Sequence, residues 1–213
     1  MENKPTEDNT SSAPATGRRF RRLALEWAVI LGVFGLIYAA GLHTQLLAYL
    51  QRGLLATGLV NAQPAEVLDN GPRLTGSDYR FAMTTPEGDH ITLEELQGEL
   101  LFINIWASWC PPCIAEMPSI NRLHDALSDY DDIRFLMISV DEDRRQAVEF
   151  MNDRSYSLPV HFPASSIPPN LHSGYLPTTY VVSGDGQILY KKEGIANYNS
   201  NRFREWLISQ RNP

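Results

Sequence analysis

The segment ELLFINIWAS, residues 99–108, is apolar from Leu100 to Ala107 with Asn104 as its one interruption. A strand with no polar face has to be covered on both sides, which excludes a surface hairpin and demands a layered fold. DIRFLMISVD, residues 132–141, is a second run of the same kind. Between the two, Ile114, Met117, Ile120, Leu123 and Leu127 recur at helical spacing. After the second, Ala147, Phe150 and Met151 mark one face of another helix in EDRRQAVEFMNDRS.

The flanking segments complete the pattern. YRFAMTTPEGDHITLEEL, starting at Tyr79, reads as a strand, a Pro-Glu-Gly turn, a short strand around His90–Thr92 and a helical turn. LPVHF is a short strand. TTYVVSGDGQILYKKEG is a hairpin turning through Gly184–Asp185–Gly186, and NSNRFREWLISQ is a closing amphipathic helix capped by Asn199 or Ser200. Strands alternating with helices, followed by a hairpin and a helix, predict an α/β fold: a central mixed sheet with helices on both faces.

The first third of the chain has a different character. Residues 1–17 are polar, rich in Thr, Ser and Pro, and carry no apolar period, the signature of a disordered tail. Arg18, Arg19, Arg21 and Arg22 then abut an apolar run from Leu23 to Leu42, about the 20 residues that a spanning helix needs. Glu26 is the one charge inside it, four residues after Arg22 and near the boundary. Trp27 and Tyr38 suit the two interfaces, and the next Lys or Arg is Arg52. This asymmetry predicts a single-pass anchor over 18–42 with the N-terminus in the cytoplasm and the rest of the chain outside. A cleaved signal peptide is the competing reading; the run is long for one, and Tyr38–Ala39–Ala40 is a poor cleavage site. Residues 43–62 place Leu46, Leu47, Leu50, Leu54 and Leu55 at helical spacing, which fits an interfacial helix or a stalk continuing the anchor; residues 61–78 read as a linker. From residue 64 onward the chain holds 12 Lys and Arg against 21 Asp and Glu, an acidic balance that argues against nucleic acid as a partner.

WASWCPPC, residues 106–113, holds both cysteines of the chain. They follow a buried strand and open a helix, so Cys110 stands where free N–H groups and the helix dipole favour a thiolate. Pro111 and Pro112 fit the first turn, where a missing N–H costs nothing. Cys110 is therefore the exposed, acidic thiol, and Cys113, one turn further in, can close a ring with it. Zinc needs four ligands, whereas one CxxC supplies two and the five histidines show no paired spacing. A purely structural disulfide over so short a loop would stabilise little. Redox chemistry is what remains, with no cofactor beyond a redox-active Cys110–Cys113 disulfide.

FINIWASWCPPCIAEMP resembles the active-site segment of membrane-anchored thioredoxin-fold proteins of the TlpA/ResA type, bacterial thiol-disulfide oxidoreductases, and LPTTYVVSGDGQI resembles their cis-proline segment. The resemblance spans about residues 74–210, leaves the tail and residues 43–62 uncovered, and implies a thioredoxin-like domain over 74–213; the residue pattern before it gives an amphipathic helix and linker over 43–73. The resemblance also implies reduction of protein disulfides outside the cytoplasmic membrane, often in cytochrome c maturation, with electrons from a membrane-embedded thiol transporter. By the same resemblance the Leu176–Pro177 bond is cis and faces the cysteines, where Leu176 would pair with a substrate strand. Trp109 would shield the rim of the thiol, whereas Trp106 reads as core packing. Thioredoxin's buried Asp corresponds to Asn104 here, which cannot accept a proton. The family's Glu three residues after the second cysteine corresponds to Glu116, which leans toward Cys113 and would take its proton. An oxidase or isomerase, and a redox-silent membrane-anchored binding module or chaperone, are the other readings.

Overall fold

The computed structural model describes residues 16–39, 50, 51, 53, 62, 68 and 71–211. The chain divides into two compact units, residues 1–43 and 44–213. In the first, α1 is Thr16–Ala39, 24 residues or about 36 Å of helix. Its described side chains from Leu23 onward are exposed, with Leu25 at 68% and Leu36 at 71%. Among the described residues no helix is long and apolar enough to cross a membrane; the side chains of Ala24, Phe34 and Ile37 lie outside them. The tail before Thr16 and most of the helix expected over 43–62 also fall outside the described residues.

The second unit is built on seven strands: β1 Ala82–Thr84, β2 His90–Thr92, β3 Leu100–Trp106, β4 Ile133–Ser139, β5 Val160–Pro163, β6 Thr178–Val182 and β7 Ile188–Glu193. They form one mixed sheet in the order β2-β1-β5-β4-β3-β6-β7. Strands β3, β4 and β5 are mutually parallel, and the remaining neighbours are antiparallel. All seven residues of β3 are buried, as a strand paired on both edges and covered on both faces must be.

Side chains alternate along β3 between two cores. Leu100, Phe102 and Trp106 join Ile120 and Leu123 of α3 (Pro111–Ala126), Ala147 and Phe150 of α4 (Arg144–Asp153), and Phe203 and Leu207 of α5 (Asn201–Ser209). Leu101, Ile103 and Ile105 face Phe81, Met83, Leu93, Leu96 and Leu171. The three long helices of this unit thus share one face, where helices on both faces were expected. Handedness explains this for α3 and α4. The crossovers β3–α3–β4 and β4–α4–β5 step in the same direction, so right-handed connections lay both helices on the same side. The opposite face packs with Leu74 beside α2 (Gly76–Tyr79) and with Leu96 and Leu171 of the 3₁₀ turns Glu94–Leu96 and Pro169–Leu171.

In the segment read as a linker over 61–78, the described residues bond to β7 and its flanks. Ala62 N–H donates to Asn197 O at 2.9 Å and Leu68 N–H to Leu189 O at 2.7 Å. Ile188 N–H donates to Pro72 O at 2.9 Å, Arg73 bridges Gln187, and Leu74 N–H donates to Gly186 O at 2.8 Å. Two of these bonds pair the first residues of β7, Ile188 and Leu189, and the others reach the segments flanking it. Asp78 then ties α2 in place, accepting from Thr75 N–H at 2.7 Å and Asn170 Nδ2 at 2.9 Å. Gly186 turns the β6–β7 hairpin at φ 85°, and a Cβ there would collide with the Tyr79 hydroxyl.

Phe102 is fully buried between the Phe135 ring at 4.8 Å and an edge-on Tyr198 at 5.4 Å. Phe102→Ala should destabilise the second unit by about 3–5 kcal/mol, the cost of a buried aromatic cavity, measured by urea unfolding followed by tryptophan fluorescence.

Candidate functional site

Three elements converge at the C-terminal end of β3. The strand delivers the chain into a tight turn in which Cys110 N–H donates to Ala107 O at 3.2 Å. Cys110 is the N-cap of α3, in extended conformation, and its Sγ accepts from Cys113 N–H at 3.3 Å. The sulfur thus takes the place of the usual capping oxygen on one of the helix's free N–H groups. Pro111 and Pro112 occupy the first helical turn, both half-buried. Cys110 and Cys113 form a disulfide with their Cα atoms 5.3 Å apart.

Cys110 is not the exposed group its position suggested. In the disulfide form it is 4% exposed and Cys113 0%. Trp109 is the exposed member of the motif, at 57%, whereas Trp106 is buried against Phe150 with ring centroids 5.4 Å apart. The Leu176–Pro177 peptide is cis. Thr178 pairs with Ile105 across the β3–β6 ladder, so Pro177 stands one residue further, level with the end of β3 where the turn to Cys110 begins. Pro177 is buried, and its carbonyl accepts from Gly194 N–H at 2.8 Å. Beside Leu176 lies a cavity of about 250 Å³ lined by Ile105, Val140, Ile167, Ser173 and Tyr175.

Beneath the disulfide runs a buried polar chain. Glu116, one turn after Cys113 on α3, is 0% exposed. Its carboxylate accepts from Asn104 Nδ2 at 2.8 Å and from Ala196 N–H at 3.2 Å. The Asn104 amide also donates to Thr179 Oγ1 at 2.9 Å, across the β3–β6 pair that sets the two residues opposite each other. Burial pushes the Glu116 carboxyl from an ordinary 4.5 up to about 8, against the opposing pull of these two bonds. The acid is therefore largely protonated at neutral pH. Asn104 Oδ1 has no partner among the described residues. Turning the amide over would let it accept from the neutral acid, so one asparagine can serve both protonation states. Ser119 extends the chain, donating to Glu116 O at 2.7 Å and accepting from Tyr198 N–H at 3.2 Å. Burial, and then the Glu116 charge, push the Tyr198 hydroxyl well above its usual range.

Two partners of this site were not foreseen. Ala196 N–H comes from the loop after β7 and contributes no side chain to read. Asp141, just past β4, is 8% exposed and grips the turn before Cys110 through Ser108; an aspartate at a strand end reads as a turn residue, and only the β3–β4 register reveals its target. Among the described residues no group of three or more His, Cys, Asp and Glu could hold a metal ion.

A disulfide at the N-cap of the helix following a central parallel strand, with a cis-proline on the adjacent antiparallel strand, defines a thioredoxin-like protein. The Redoxin family matches residues 72–203, and the chain belongs to that family. It is similar to the thiol-disulfide oxidoreductase ResA of Bacillus cereus, with 30% identity over 112 residues, 52% of this chain and 64% of that protein. The match thus spans less than two thirds of that relative's length. The sporulation thiol-disulfide oxidoreductase A of Bacillus subtilis is 26% identical over 130 residues, 59% of this chain and 76% of that protein. A secreted Mycobacterium tuberculosis disulfide oxidoreductase, homologous to E. coli DsbE, shares the fold with a TM-score of 0.54 at 19% identity, covering 63% of this chain and 99% of that one.

The Glu116 environment fixes a pH dependence. Between about 4.5 and about 8 the unfolded chain has released this proton and the folded one has kept it. The unfolded state then binds fewer protons, so the Glu116 contribution to stability falls as pH rises through this window and levels off above it. In Glu116→Gln that descent should vanish. Urea unfolding of the oxidised protein from pH 5 to 8 should show the wild type losing stability relative to the variant; parallel curves would place the carboxyl in solvent.

Proposed function

We propose that this chain is a membrane-anchored, extracytoplasmic thiol-disulfide oxidoreductase that reduces disulfides of exported polypeptides, cytochrome c precursors among them. The observation that carries the reading is the Cys110–Cys113 disulfide at a helix N-cap, with a buried carboxyl held near 8 one turn behind it. The resemblance to the TlpA/ResA type supports the direction of electron flow.

The reaction balances as two exchanges. In the reduced pair, Cys110 thiolate attacks one sulfur of the substrate disulfide, forming a mixed disulfide and expelling the other substrate sulfur as a thiolate. Cys113 then loses its proton and attacks the Cys110 sulfur. The second substrate thiolate leaves, and the Cys110–Cys113 bond closes. The substrate gains two electrons from the pair and two protons, one released by Cys113 and the other, already shed by Cys110 when it became a thiolate, taken from solvent. Glu116 manages the Cys113 proton. An acid near 8 and a thiol of ordinary value about 8.5 exchange a proton with little driving force either way, which suits a group that must both take and return it.

Leu176, Pro177, Trp109, Pro111 and Pro112 form the substrate-facing rim in this reading. The backbone at Leu176 pairs with an extended substrate segment, in the manner of strand addition. The two cysteines of the chain are both consumed in the disulfide, so an external dithiol must reset it. We assign that role to a membrane-embedded thiol donor, because the arginine-flanked apolar helix α1 presents an exposed apolar surface that a bilayer would cover.

Cys113→Ser should accumulate mixed disulfides with polypeptide substrates, whereas Cys110→Ser should accumulate none; equal trapping by the two would refute the order of attack. Equilibration in thiol buffers of defined potential sets the direction. A strongly reducing couple supports the reductase, an oxidising one an oxidase or isomerase, and no reversible couple a binding module. A reporter fused after residue 70 should be active only if it works outside the cytoplasm.

A further inference from the structure

The turn that presents Cys110 is held from outside by one carboxylate. The parallel β3–β4 ladder ends with Trp106 opposite Ser139, and Val140 N–H still donates to Trp106 O at 2.9 Å. Where the next rung would need a main-chain carbonyl, Asp141 supplies its side chain. Ser108 N–H lies 3.1 Å from Asp141 Oδ1 and 3.0 Å from Oδ2, and Ser108 Oγ donates to Oδ1 at 2.6 Å. Ser139 Oγ donates to Oδ2 at 2.7 Å and accepts from Asp141 N–H at 3.1 Å, fixing the carboxylate from below. Asp141 is 8% exposed and Ser139 1%. Ser108 is the second residue of the turn closed by Cys110 N–H and Ala107 O. The carboxylate therefore clamps the backbone two residues before the nucleophilic sulfur.

We propose that Asp141 is a positioning residue that biases the Cys110–Cys113 couple toward the disulfide; this rests on the thiol-disulfide reading above. Two effects act with the same sign. Holding the turn keeps Cys110 at the helix cap, beside Cys113, and raises the effective concentration of one sulfur at the other. A fixed negative charge close to the turn also disfavours the Cys110 thiolate, which exists only in the reduced form. Both favour oxidation of the pair, so both strengthen it as a donor of electrons to substrate.

The test is equilibration of the full-length protein with reduced and oxidised dithiothreitol, followed by alkylation of free thiols and a gel shift. Dithiothreitol gives two electrons and two protons to the Cys110–Cys113 bond and becomes its own cyclic disulfide, so the equilibrium constant is read directly. In Asp141→Asn one Ser108 donor faces an amide N–H₂ and the charge is gone. The constant should move toward the dithiol form by about tenfold, the scale of one charge-assisted hydrogen bond, with an unchanged circular dichroism spectrum. Ser108→Ala, which removes only the hydroxyl donor, should shift it less and in the same direction. The double variant should shift it by less than the product of the two single shifts. An Asp141→Asn protein with a native spectrum and a wild-type constant would overturn the proposal. If that variant does not fold, Ser108→Ala decides, and an unshifted constant there refutes it. A wild type without any reversible couple would overturn the thiol-disulfide reading itself, together with this inference.

Discussion

The pairing of β3 on both edges is the constraint from which the site follows. With β4 parallel on one side and β6 antiparallel on the other, the strand cannot slip without moving every side chain to the wrong core. That register sets Asn104 opposite Thr179 and Trp106 opposite Ser139. It therefore determines where the chain leaves the sheet and enters the turn to Cys110. Cys110 caps the same helix that carries Glu116, the cis-proline precedes β6, and β3 is the element against which all three are measured.

A second consequence is the link between the disulfide and a carboxyl that ordinary folding would keep out of the core. A buried acid costs stability unless it is bonded or neutral. Here the acid has both remedies: the Asn104 amide and Ala196 N–H for the charged form, and a proton held to about 8 for the neutral one. The loop carrying Ala196 also carries Gly194, whose N–H holds the carbonyl of Pro177. One short segment after β7 thus touches both the buried carboxyl of Glu116 and the cis-proline.

Much of this was legible in the order of residues. The runs from Leu100 and Ile133 had no polar face and could only be covered strands, and the spacing of Cys110 and Cys113 after the first of them marked the chemistry. Ser200, one of two cap residues expected, accepts from Phe203 N–H at 3.2 Å and starts α5. The failures share a cause: they depend on partners far along the chain. The Pro, Gly and Asn content before Tyr79 describes a free linker and a bonded segment equally well, and the difference lies in its partners on β7 and its flanks. The placement of helices on one face required the strand order. Glu116 was found through its helical spacing and the family resemblance. Asp141 was missed because its partner Ser108 lies 33 residues earlier, across a parallel ladder.

The disulfide also uses up every cysteine in the chain. Two cysteines admit a single pairing, whereas four admit three and six admit fifteen. Under oxidising conditions there is then no wrong partner among these residues, and no shuffling step through scrambled isomers. Once the pair has closed, no thiol is left for covalent cross-linking to a second copy. The chain tolerates the chemistry of its surroundings by having only one place to receive it.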